Sequence, residues 1–375
     1  MPAGSPMRGL RNAAGGTTLP ARTCSMCPRW LKGQPRSVTD TKPGSDRNIR
    51  WGIIGAGKIA HHFVNGLKAV PDADLIAVGS RAQATADAFG DEFDVPRRYE
   101  SYTELVADPE VDVVYVATPH QDHRASTLLC LNAGKPVLCE KPFAINAGEA
   151  REMVDTARAR GLFLMEAMWT RYRPVMVKVR EILESGALGE IRYLSANIGW
   201  KNPFDPLFRL YNPDLGGGAL LDGGVYPVSF ASMVLGTPNT IASAVSLGET
   251  GVDEQAAIAF GYSSGAVASI GVTVQTNSVN LGFIFGTEGR IEIHHDWHRP
   301  ESMTFVPFGG EPQRFDYPQT EGNGYQYEAI EVGRCLRAGL LESPVMPLDE
   351  TISIMETMDT LRAQWGVRYP MEPAL

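Results

Sequence analysis

The chain has 375 residues, of which 43% are hydrophobic and 21% charged. That length exceeds one ordinary domain of ~100 to 200 residues and predicts two. No apolar run approaches the ~20 residues of a bilayer span, which argues against a transmembrane helix and a membrane partner. Residues 1–50 hold nine Lys and Arg against Asp40 and Asp46, so the remainder is more acidic than the net charge of −9 suggests, and an acidic body argues against nucleic acid as a partner.

Residues 1–46 mix Pro, Gly, Ser, Thr and Arg without periodicity and are predicted to form a disordered basic tail. The tail lacks the apolar core of a secretory signal. Its Arg-rich, acid-poor composition resembles an organellar transit peptide, and an over-long start explains it equally well. Cys24-x-x-Cys27 has the spacing of half a zinc site or a redox pair, but no second pair follows, so an incidental pair is the simpler account. Cys130, Cys139 and Cys335 fall in apolar settings and read as core thiols of a reducing compartment, consistent with a cytoplasmic protein.

From residue 49, short apolar runs alternate with helical periodicity, the pattern of a parallel sheet wrapped by helices. Strands are predicted at 50–54, 75–80, 111–117, 136–139 and 162–167, with helices at 59–69, 82–89, 102–107, 122–132 and 147–160. Gly134 and Gly161 suit helix C-terminal caps. Residues 47–170 therefore read as a doubly wound domain. Residues 171–375 open with a helix at 175–185 and then change character. Strands are predicted at 191–198, 241–247, 255–262, 266–275, 282–286, 290–294 and 303–306, with hairpin turns at Ser263-Ser264-Gly265 and Thr287-Glu288-Gly289. Helices follow at 218–235, 325–338 and 348–364, the last able to pack back on the first domain. The fold class is α/β: a dinucleotide-binding Rossmann domain, then an α/β domain with an open, mostly antiparallel sheet. One free sheet face would suit a homo-oligomer, a dimer or tetramer.

The Rossmann assignment rests on Gly55-Ala56-Gly57-Lys58-Ile59-Ala60, a G-x-G-x-x-[GA] fingerprint between an apolar strand and a helix. Gly55 permits the tight turn, Gly57 admits a pyrophosphate, and Ala60 lets the helix pack closely. The phosphates would meet the N–H groups of Lys58 and Ile59 at the helix start. An NAD enzyme places an acid roughly 20 residues further on, at the end of the second strand, for the ribose hydroxyl. Here that position reads Gly79-Ser80-Arg81, where a hydroxyl and a guanidinium suit a 2′-phosphate, so NADP is favoured. A solvated Arg81 with NAD still accepted is the alternative.

The third strand leads into Thr118-Pro119-His120 and then His123, a turn that faces the cofactor because ligands bind beyond the carboxyl ends of such strands. Structural roles at a helix start are the rival for both histidines. The next strand ends in Glu140-Lys141-Pro142. Lys141 is the leading acid–base or electrostatic candidate, its pKa expected to fall from ~10.4 through desolvation. Further on, Gly216-Gly217-Gly218-Ala219-Leu220-Leu221-Asp222-Gly223-Gly224-Val225-Tyr226 opens a helix. Asp222 and Tyr226 are four apart, so a carboxylate and a phenol share a face, and a nearby Lys141 ammonium would help the phenol exchange a proton. A capping Asp and a packed Tyr form the structural alternative. Trp169, Arg171 and Tyr172, with Arg173, Trp200 and Phe204, would wall a pocket at the domain junction. His294-His295-Asp296-x-His298 has metal-ligand residue types without fixed geometry, and no metal is expected.

The segments GAGKIA, ATPHQDH, CEKPFA and GGGALLDGGVYP, in this order, resemble the glucose-fructose oxidoreductase, inositol dehydrogenase and MocA (Gfo/Idh/MocA) family over about residues 49–368. The resemblance implies a catalytic Lys141 followed by a cis Pro142. Many relatives carry Asp and His four apart where this chain has Asp222 and Tyr226. That departure, with Glu166-Ala167-Met168-Trp169-Thr170-Arg171, is similar to the dimeric dihydrodiol dehydrogenase and NADP-dependent D-xylose dehydrogenase branch. It implies an oxidoreductase acting on a hydroxyl-bearing carbon of a sugar, polyol or dihydrodiol. A sugar lyase or glycosidase using transient oxidation, and a non-catalytic nucleotide sensor, are the alternatives.

Overall fold

A computed structural model describes residues 47–372, and the predicted tail and Cys24-x-x-Cys27 lie outside the described residues. The first sheet is built from β1 (Ile49–Ile54), β2 (Ala73–Gly79), β3 (Arg97–Tyr99), β4 (Val113–Val116), β5 (Val137–Glu140) and β6 (Leu164–Ala167). Its order is β3-β2-β1-β4-β5-β6, all parallel. Between the strands run α1 (Lys58–Leu67), α2 (Gln83–Phe93), α3 (Tyr102–Ala107), α4 (His123–Asn132) and α5 (Ala147–Arg160). The chain reverses direction across the sheet between β1 and β4, the crevice where open α/β sheets bind ligands. Ile54 pairs with Val116, and Val116 with Cys139. This register sets the carboxyl ends of three strands in a row: Gly55, Thr118 and Lys141 follow from it.

α6 (Pro174–Glu184) leads into the second sheet. Its strands are β7 (Ile191–Gly199), β8 (Thr240–Leu247), β9 (Asp253–Gly261), β10 (Val267–Thr273), β11 (Gly282–Gly286), β12 (Gly289–Ile293), β13 (Ser302–Pro307) and β14 (Gln313–Asp316). The order is β14-β13-β12-β11-β7-β10-β9-β8, antiparallel except for the parallel β7–β10 pair. Alternating burial along β9 and β10 shows why the sheet forms. Ile258, Phe260, Ile270 and Val272 point into the core, while the intervening residues face outward. Each such buried side chain contributes about 2 kcal/mol. α7 (Val225–Leu235), α8 (Gln326–Arg337) and α9 (Leu348–Trp365) complete the chain. Lys141 and Pro142 are joined by a cis peptide bond.

α9 lies across both layers. Arg151 and Arg158 of α5 pair with Glu356 and Asp349, while Gln364 donates to the Ile241 carbonyl of β8 at 3.1 Å. Buried side chains of both sheets form one continuous core.

Three expectations change. β3 and β14 were not foreseen, because both are short, polar edge strands without apolar alternation. The predicted helix 218–235 begins as a π-helical turn, Leu220–Gly224, before α7 takes over. The stretch Pro213–Leu235 is also long and apolar enough to cross a bilayer, contrary to the sequence expectation, but 83% of its apolar 18-residue window is buried inside the protein, as a core helix should be.

Candidate active site

The glycine turn has the geometry a dinucleotide needs. Gly55 sits at φ +92°, and a Cβ there would lie 2.7 Å from the Ala117 carbonyl oxygen, so only glycine fits between β1 and β4. At Gly57 a Cβ would meet nothing within 4 Å, leaving the backbone open to a ligand. No side chain caps α1, so the first-turn N–H groups near Lys58 and Ile59 are left for an anion. Thr118 Oγ1, buried beside this turn, has no hydrogen-bond partner among the described residues. An open backbone, an uncapped helix start and an orphaned hydroxyl together fit a dinucleotide pyrophosphate and its ribose. Ser80 is buried at the end of β2, Arg81 is exposed beyond it, and Tyr102 lies close enough to feel the Arg81 charge. Pro119 is exposed and His120 half-buried on the same rim.

Across the cleft, Lys141 joins the two domains. Its ammonium donates to the Asp222 carbonyl at 2.8 Å, lies 3.5 Å from Asp222 Oδ1, and sits 4.7 Å from the centre of the Tyr226 ring. Arg209 closes the other side of the carboxylate with bonds of 3.0 and 3.3 Å to its two oxygens. The Tyr226 hydroxyl accepts from Trp169 Nε1 at 2.9 Å, and Trp169 stacks face to face on Tyr325 with ring centres 4.4 Å apart. The π turn and α7 thus carry Asp222 and Tyr226 to one ammonium, as the spacing predicts. Asp222 does not cap this turn, because it is Asp253 that accepts from the Leu220 N–H at 2.6 Å, while Tyr226 is packed in the core as the structural alternative expects.

The electrostatics follow from this packing. Burial opposes ionisation of Asp222, but Lys141 and Arg209 overcome it and hold the carboxyl well below the usual range. Burial would lower Lys141, yet the attraction of Tyr226 and Asp222 wins and its pKa rises. That corrects the expectation of a lowered value: desolvation is present, but the compensating charges are closer. Burial raises Tyr226, and Lys141 offsets part of that rise. His120 is pushed down to about 3 by burial and by the neighbouring His123, so its ring is neutral.

Four predicted residues are held by contacts within the protein. His123 is fully buried, its ring nitrogens 2.8 and 2.9 Å from the carbonyls of Pro142 and Thr118, so it ties two loops together. The buried Glu140 carboxylate accepts from the Tyr115 hydroxyl and, at 3.0 Å, from the Lys141 N–H. It orients the Lys141 backbone from below. Arg171 is only 2% exposed and bonds Ser229 and Glu350, because a buried guanidinium is tolerated only when paired. Tyr172 points into the core, its hydroxyl 3.3 Å from Met165 Sδ. Of the predicted wall, Trp169 reaches the site, Trp200 lies beside His298, and Phe204 is exposed. The histidine run diverges: His294 bonds Ser302 and Thr304, His295 the Val279 carbonyl, and His298 faces Tyr226. Arg209 and Tyr325 escaped sequence reasoning. The first lies in irregular chain with no periodicity, and the second reads as an ordinary helix start.

Fold and site together define a two-domain, dinucleotide-binding oxidoreductase. Residues 49–168 match the GFO_IDH_MocA family, described as "Oxidoreductase family, NAD-binding Rossmann fold", and residues 176–292 match the "GFO/IDH/MocA C-terminal domain". Trans-1,2-dihydrobenzene-1,2-diol dehydrogenase from Mus musculus is 39% identical over 335 residues, 86% of this chain and 99% of its own length, and that from Homo sapiens is 37% identical over the same span. KijD10, a 3-ketoreductase from Actinomadura kijaniata solved with NADP and TDP-benzene, is similar with a TM-score of 0.75 at 26% identity, covering 84% of this chain and 98% of its own. Aldose-aldose oxidoreductase from Caulobacter crescentus shares the fold with a TM-score of 0.78 at 23% identity, covering 85% and 98%. The chain belongs to the Gfo/Idh/MocA family of NAD(P)-binding oxidoreductases.

Proposed function

We propose that this protein is an NADP-preferring dehydrogenase that moves a hydride between nicotinamide and a hydroxyl-bearing carbon of a dihydrodiol, sugar or polyol. The observation that carries this reading is the Lys141 ammonium held between Asp222 and Tyr226 at the mouth of the dinucleotide crevice. The bound nicotinamide supplies the hydride chemistry. Tyr226, its pKa raised by burial, holds its proton at neutral pH and donates it to a carbonyl oxygen during reduction; in the oxidising direction its phenolate, formed as pH rises and favoured by Lys141, takes the hydroxyl proton. Lys141 stays charged and steadies the phenolate that would form. Asp222, ionised between Lys141 and Arg209, accepts a hydrogen bond from the substrate and orients it. Trp169 fixes the phenol through its N–H and presents a stacked aromatic wall with Tyr325.

Ser80 and Arg81, with no carboxylate at the end of β2, support NADP. The outward face of the second sheet, with Tyr193 and Val267 exposed, supports a homo-oligomer. The test is turnover by purified protein across dihydrodiols, aldoses and inositols with each nicotinamide, read by absorbance, alongside Arg81→Ala. The expected result is oxidation with NADP and a loss of NADPH affinity of about tenfold or more in the variant. Product formation without net change in nicotinamide absorbance would replace this reading with transient oxidation.

A further inference from the structure

One histidine at this site has no part in the chemistry above. His298 follows β12 in a segment tied down on several sides. The neighbouring Trp297 is fully buried against Phe230 and donates to the Asn197 carbonyl at 2.8 Å. Thr170 donates to the His298 carbonyl, and Arg173 to that of Pro300 at 3.3 Å. The backbone is therefore held by both domains while the ring is left to its own contacts. Those contacts are aromatic: the ring centre is 5.5 Å from that of Tyr226 and 5.5 Å from that of Trp200. The residue is 6% exposed, and Nδ1 is buried without a hydrogen-bond partner among the described residues.

An unpartnered nitrogen in a buried ring is costly unless something completes it. Metal coordination is a poor account, because no group of three or more metal-ligand side chains converges among the described residues. Burial pushes the ring down to about 3, with the Lys141 charge also opposing protonation, so His298 is neutral and carries one N–H and one lone pair. Either nitrogen can donate to or accept from a hydroxyl, according to the tautomer. Hydroxyls on adjacent carbons are close enough that the groups binding them must be neighbours, as Tyr226 and His298 are.

We infer that His298 is a substrate-binding residue that reads a second hydroxyl, on the carbon next to the one oxidised, and so selects vicinal diols over isolated alcohols. The inference rests on the dehydrogenase reading proposed above and adds the residue that sets substrate class. Tyr226 takes the reacting hydroxyl, and His298 takes its neighbour. Trp200, edge-on to the imidazole, holds the ring from behind without competing for its nitrogens.

The experiment compares kcat/KM for the best substrate of the panel with that for its analogue lacking the adjacent hydroxyl; trans-cyclohexane-1,2-diol and cyclohexanol form the simplest pair. His298→Phe keeps a ring against Tyr226 and Trp200 but removes both nitrogens, and His298→Ala reads the same ratio should the larger ring not fit. Either variant is expected to lower the diol-to-alcohol ratio by roughly 10- to 100-fold, mostly through the diol, with His298→Gln recovering part of it. NADPH affinity, followed by fluorescence, is expected to stay unchanged. Equal losses on both substrates, or no loss on either, would overturn the role of His298 while leaving the dehydrogenase reading standing. A wild-type protein that oxidises neither member of any pair would instead remove that reading, and the inference with it.

Discussion

Replacing Lys141 with methionine removes one charge and keeps most of the side-chain volume, so it isolates the electrostatic part of the proposed mechanism. The ammonium lies 4.7 Å from the Tyr226 ring centre and 2.8 Å from the Asp222 carbonyl. Unit charges about 5 Å apart in a medium of effective dielectric ~20 interact by about 3 kcal/mol. If phenolate character at Tyr226 develops in the transition state, that interaction corresponds to about a hundredfold in rate. Lys141→Met is therefore expected to reduce kcat/KM by about 100-fold, and to move the alkaline limb of the oxidation pH profile upward as Tyr226 loses its stabilising neighbour. Arg209 still holds Asp222, so the fold and NADPH affinity should survive. Stopped-flow nicotinamide absorbance gives the rate, and fluorescence titration separates cofactor binding from turnover. A variant within about fivefold of wild type, with NADPH bound normally, would show that the ammonium does not act on the reacting proton.

The remaining predictions concern the scaffold. Glu166 is fully buried, with one oxygen accepting from Thr351 at 3.1 Å and the other unpartnered among the described residues; burial raises its pKa from 4.5 to about 7. The folded protein keeps a proton that the unfolded chain releases near 4.5, so this group costs stability as pH rises from there to about 7, by up to about 3 kcal/mol. Glu166→Gln should therefore gain on wild type between urea titrations at pH 5 and pH 8, and an equal difference at both would contradict the assignment. Gly55→Ala forces a Cβ against the Ala117 carbonyl in a left-handed backbone. It should cost about 1–3 kcal/mol in thermal or urea unfolding and weaken NADPH binding; a wild-type midpoint with unchanged affinity would refute the steric argument.

Much of the site was legible because its parts are local. The glycine turn, the strand-end Lys141 and the Asp222–Tyr226 spacing each lie within a dozen residues of chain, where propensity and periodicity speak directly. Their meeting was not legible from spacing, since Lys141 and Asp222 are 81 positions apart and converge only when the second domain docks on the first. Arg209 reaches Asp222 from irregular chain, where sequence patterns carry no direction. Of the predicted wall, Trp169 reaches Tyr226 while Arg171 and Tyr172 turn into the core, for a related reason. All three share one 3-10 turn after β6, and which of them turns toward the cleft is decided by partners elsewhere: Tyr226 for the indole, Glu350 and Ser229 for the guanidinium, Met165 for the phenol.

The sign of the Lys141 shift shows how far such partners can redirect a role. Considered alone, a lysine entering a cleft loses hydration, its pKa falls, and it becomes a candidate base. With Asp222 and Tyr226 against it, the charged form is the favoured one and the pKa rises. A lysine in that state cannot accept a proton near neutral pH, so in the proposed mechanism it serves as a positive charge and hydrogen-bond donor. In the proposed mechanism the exchange of a proton then falls to the phenol it faces, whose pKa burial raises. The same three side chains therefore divide the labour by their surroundings: Asp222 ionised, Lys141 charged, Tyr226 neutral. On the proposed reading, that division lets Tyr226 carry the proton and leaves Lys141 to stabilise its phenolate.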